Sequence, residues 1–181
     1  MSSIHDRTSD CKQPPPLRWR LEALTQRGGY SKLRQFAIWS VMQIAPKYPW
    51  VLEMIACVQV AINDPSGEEL RRLQASHGGA ACAACLIGLK VSPASASAQL
   101  AAFECMRPDA YEAAYEASYH ARECAGYHTW SDPAATSITG RPVLEASAAA
   151  LGAQIDELDR LIDSCDLVEG NADQGSSKGD C

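Results

Sequence analysis

The 181-residue sequence has no long apolar run and no excess of basic residues. A membrane-spanning helix needs about 20 consecutive apolar residues, and no stretch approaches that length. Residues 1–7 lack the apolar segment of a secretory signal. The formal net charge of −6 would repel the phosphate backbone of a nucleic acid. We therefore expect a soluble, cytoplasmic protein that binds neither membranes nor nucleic acid.

The sequence also lacks the short motifs that mark common catalytic sites. It contains no Gly-x-Ser-x-Gly elbow, no phosphate-binding loop, no His-Glu-x-x-His zinc signature and no glycine-rich dinucleotide turn after a strand. The acidic pairs Glu68-Glu69 and Asp156-Glu157 are placed at a helix start and on an exposed helix face, where carboxylates are usually solvated. We predict a protein that is not an enzyme and needs no cofactor.

Sustained alternation of apolar and polar residues, the pattern of half-buried strands, is missing too. Instead, apolar residues recur at helical spacing, and 46% of the residues are hydrophobic against 21% charged. The predicted fold is all-α: a single-domain multi-helix bundle over residues 17–165 with two central apolar helices at 32–45 and 50–62. Residues 1–16 are predicted to form a flexible arm, and residues 166–181 a disordered tail.

Several helix ends have recognisable local signals. Gly28 and Gly29 can stop the first helix, and Ser31 is predicted to cap the second. Asp109 with Glu112 has the spacing of a capping box and should open a long helix that ends near Tyr127. The alanines of this helix form a thin packing face, at positions 110, 113, 117 and 121.

The final helix carries apolar residues at alternating steps of four and three, which is a heptad seam. The seam consists of Leu144, Ala148, Leu151, Ile155, Leu158, Ile162 and Cys165. Packing on its own domain is the simpler interpretation, because the stretch is short for an independent coiled coil. The alternative is a homodimeric structural or adaptor protein that associates through the 144–165 helix.

The eight cysteines are interpreted as reduced thiols, because no export signal is present. Cys57, Cys105 and Cys165 fall in apolar patterns and are predicted to fill the core. A metal- or thiol-sensing regulator that uses Cys82, Cys85, His120 and Cys124, with His128 nearby, is the alternative. A single CxxC pair is weak support, and we predict no metal site.

Three stretches of the sequence are compared with known families: residues 33–39 (Leu-Arg-Gln-Phe-Ala-Ile-Trp), residues 64–70 (Asp-Pro-Ser-Gly-Glu-Glu-Leu) and the alanine- and tyrosine-rich residues 111–121. Together they resemble a family of all-helical, alanine-rich bacterial immunity proteins encoded near polymorphic toxins. The resemblance covers about residues 33–130. It implies a protein that neutralises a cognate toxin by tight binding, and it supplies no catalytic residues.

An acidic helical module suits a basic toxin domain, because complementary charge steers the encounter of the two proteins. Tyrosine is enriched at interaction hot spots, and the long helix carries three tyrosines at four-residue steps. The predicted partner-binding residues are therefore Tyr111, Glu112, Tyr115, Glu116 and Tyr119. The opposing interpretation is that these tyrosines cover the core while the glutamates keep the helix soluble.

Overall fold

Helices account for nearly all of the chain that a computed structural model describes, namely residues 15–63, 67–78, 92–130 and 141–172. No strand occurs within these ranges, and the prediction of an all-α multi-helix bundle is confirmed. The helices in chain order are α1 (Pro15–Gln26), α2 (Tyr30–Met42), α3 (Val51–Ala61), α4 (68–78), α5 (Pro93–Glu104), α6 (Ala110–Trp130) and α7 (Arg141–Ala172).

The turn between α1 and α2 depends on two glycines, as predicted. Gly28 adopts a left-handed φ of 68°, a conformation that side chains with a Cβ disfavour. The amide of Gly29 donates to the Leu24 carbonyl at 2.8 Å, and a Cβ on Gly29 would lie 2.9 Å from that oxygen. The predicted Ser31 cap is wrong: α2 already begins at Tyr30, and Gly29 occupies the N-cap position without a side-chain hydrogen bond.

The predicted start of α6 is confirmed at the level of a hydrogen bond. The Glu112 amide donates to Asp109 Oδ1 over 2.8 Å, which satisfies one of the free amides at a helix N-terminus. Ser92 caps α5 in a similar way by accepting from the Ser95 amide. Both helices therefore start where a short polar side chain meets the first turn.

Two apolar clusters form the core, and α2 and α6 contribute to both. The first cluster joins α2, α3, α4, α5 and α6, and the second joins α1, α2, α6 and α7. The inward side of α6 is lined by Ala110, Ala113, Ala117 and Ala121, which are all buried as predicted. Small side chains allow the neighbouring helices to approach α6 closely.

The predicted central position of the 50–62 helix is wrong. Helix α3 buries one side, which consists of Val51, Ile55, Val58 and Ala61. Its other side is open, with Leu52 43% and Val60 73% exposed. Helix α2, predicted as 32–45, does hold a central place, and α6 takes the second central position.

The seam of α7 packs mainly within the protein itself. Leu158 is fully buried in the second cluster, and four further seam residues pack against that cluster, namely Leu151, Ile155, Ile162 and Cys165. At the start of the seam, Leu144 is 70% exposed and Ala148 is also exposed. Arg20 of α1 holds this half of α7 through two hydrogen bonds to the Asp159 carboxylate, of 2.6 and 2.9 Å. Association of two copies through the whole seam would therefore have to displace the core, and the homodimer stays an untested alternative.

The described helix α7 continues to Ala172, seven residues beyond the predicted boundary at 165. Helix α1 begins at Pro15, within the predicted 1–16 arm, since proline is tolerated in the first helical turn. The rest of the predicted arm and tail, 1–14 and 173–181, lies outside the described residues. Across the described part, no helix is both long and apolar enough to cross a membrane.

Candidate functional site

The tyrosines predicted to bind a partner lie along one side of α6 and differ in exposure. Tyr115 is only 7% exposed and belongs to the second core cluster, and Tyr111 is half-buried against that cluster. The two rings stack with centroids 6.1 Å apart and an interplanar angle of 25°. Tyr115 is therefore a core residue that packs beneath the predicted binding surface of α6. Tyr111 and the half-buried Tyr119 contribute area that a partner could contact.

Of the two glutamates in the predicted surface, Glu112 is exposed and Glu116 is half-buried. Glu112 Oε2 accepts a hydrogen bond of 2.8 Å from Arg107 Nη1. Arg107 also donates through Nε to Glu104, which is buried at the end of α5. The arginine thus links the end of α5 to the start of α6, and it offsets part of the negative charge that Glu112 offers to a basic partner.

The same helix carries a polar network around Glu123, which the sequence pattern did not single out. Tyr119 donates its hydroxyl to Oε1 over 2.8 Å, and His120 Nδ1 lies 3.1 Å from Oε2. Burial alone would raise the pKa of Glu123, but these hydrogen bonds and the charge of Arg122 hold it below its usual value. Burial, together with the bond to Glu123 and its charge, raises the pKa of Tyr119 to about 12. Glu123 is therefore an ionised acceptor held by its neighbours.

The residues of the metal-sensing alternative are not assembled into a site in the described ranges. His120 bonds to Glu123, and Cys124 is buried in the first core cluster. Among described side chains, no three His, Cys, Asp or Glu groups lie close enough to hold a metal ion. Cys82 and Cys85 fall outside the described residues, as does the side chain of His128.

The four described thiols differ in burial: Cys105 and Cys124 are buried, Cys165 is half-buried and Cys57 is exposed. Burial raises the pKa of Cys124 to about 11, even though Tyr48 and Lys47 act to lower it. Burial also raises the pKa of Cys105 well above its usual range. Cys165 packs against the second core cluster as predicted, but the prediction that Cys57 fills the core is wrong, because it lies on the open side of α3. Cys57 is therefore the accessible thiol on α3.

We expect thiol alkylation to follow this division. At neutral pH the thiolate is the reactive form, so Cys57 should react with iodoacetamide at least about tenfold faster than Cys105 and Cys124. Mass spectrometry of peptides after brief labelling measures each site separately. In denaturant the three sites should react alike, and equal labelling of Cys57 and Cys124 in the folded protein would contradict the assignment.

The open side of α3 is a surface that the sequence analysis missed. Leu52, Ala56 and Val60 follow at four-residue steps and are all exposed, with the exposed Glu53 and Cys57 beside them. Trp50, 39% exposed, lies at the N-terminus of the helix. The positions of Glu53 and Gln59 could have indicated this exposed side from the sequence. These two polar residues flank the exposed side of α3, and the buried side of the helix has no polar residue.

Comparison of the chain with protein-family models, curated proteins and solved structures finds no match.

Proposed function

We propose that this protein is a non-catalytic protein-binding module, an immunity protein that neutralises a cognate bacterial toxin by direct binding. The observation that carries the binding role is the open apolar side of α3, defined by Trp50, Leu52, Ala56 and Val60 and called here the α3 face. Contiguous exposed apolar surface rimmed by polar groups is typical of protein-interaction sites.

The composition of the α3 face suits a contact that excludes water. Leucine, valine and tryptophan supply apolar area, and tryptophan is enriched among residues that dominate binding energy. Glu53 is the acidic side chain of this helix, and α3 has no basic residue. A partner with apolar anchors and a neighbouring basic group would complement this surface.

The charge of the whole chain supports a basic partner. The formal net charge of −6 accelerates the encounter with a positively charged domain, whereas buried apolar contacts govern how slowly the complex dissociates. The choice of a toxin as partner comes from the resemblance of residues 33–39, 64–70 and 111–121 to immunity proteins. The α6 residues Tyr111, Glu112, Glu116 and Tyr119 remain a second predicted contact region, supported from below by Tyr115.

The test is co-expression with the product of the adjacent gene, followed by affinity capture and a growth assay. The intact chain should form a stable complex with that product and protect cells from it. Leu52→Glu with Val60→Glu should weaken the complex by about 30-fold or more, as expected when two central apolar contacts are lost. Titration calorimetry on the purified pair measures the change.

Leu144→Glu is the matched control, because Leu144 is also highly exposed but lies on α7. This variant should bind like the unmodified chain. A folded chain that neither captures the co-expressed product nor protects growth would overturn the proposal. If the complex forms and resists the α3 substitutions but is weakened by Glu112→Lys, the α6 region replaces the α3 face as the binding surface.

A further inference from the structure

We draw no further inference here: the strongest candidate, the pocket of about 200 Å³ between Trp39 of α2, Ala125 of α6 and Ala153 of α7, is open to solvent at the exposed Gln43 and Ala153, and nothing in the described part of the chain shows what covers it.

Discussion

We expect Phe36→Ala to lower the free energy of unfolding by about 3–5 kcal/mol, the usual cost of truncating a buried phenylalanine. Phe36 is fully buried in the second core cluster, where residues of α1, α2, α6 and α7 meet. Its removal would leave a cavity between four helices and take away the ring that stacks on Trp39. Urea denaturation followed by circular dichroism measures the change.

Tyr30→Ala provides the comparison within the same helix. Tyr30 is the first residue of α2 and is 59% exposed, so its truncation should change stability by only about 0.5 kcal/mol. Similar losses for the two variants would contradict the placement of Phe36 at the junction of the four helices.

A larger side chain on the inner side of α6 should also destabilise the bundle. Ala117 is fully buried in the first core cluster, and a leucine there has no space without displacing a neighbouring helix. We expect Ala117→Leu to lower the free energy of unfolding by about 3 kcal/mol, near the upper end for overpacked cores. Thermal and urea denaturation both report this loss.

The same substitution at an exposed alanine isolates the packing effect. Ala148 lies on α7 and is exposed. The free energy of unfolding of the Ala148→Leu variant should therefore stay within about 0.5 kcal/mol of that of the unmodified protein. If Ala117→Leu were equally harmless, the close approach of helices to α6 would be disproved.

The local features of the fold were predictable from sequence, because they depend on neighbouring residues. Asp109 opens α6 as expected, and the glycines at 28 and 29 separate α1 from α2. The failure at Ser31 has the same local origin: Gly29 can itself occupy the N-cap position, so the helix starts earlier.

The relative positions of the helices were harder to predict from the sequence. Both 32–45 and 50–62 are rich in apolar residues, but hydrophobicity does not show how many neighbours a helix will have. Helix α6 has small alanines that allow several partners to pack around it, whereas α3 keeps Leu52 and Val60 exposed. The number of packed neighbours is a property of the tertiary arrangement, which one helical pattern does not contain.

For the candidate surfaces, too, the local spacing of residues was predictable from sequence and the tertiary contacts were not. Four-residue spacing placed the tyrosines on one side of α6, but it did not reveal that Tyr115 faces the core. The link from Arg107 to Glu112 spans a turn between helices, so helical spacing could not supply it. The pocket between Trp39 of α2, Ala125 of α6 and Ala153 of α7 depends on three helices distant in sequence and has no local signature.

The ion pairs of Arg20 and Arg107 have different consequences for the order of folding. Arg107 joins α5 to α6 across a short turn, whereas Arg20 and Asp159 are separated by 139 positions. Closing a long loop costs more chain entropy than closing a short one, and local contacts form earlier. We therefore expect the contact between α5 and α6 to form before the first helix docks on the last.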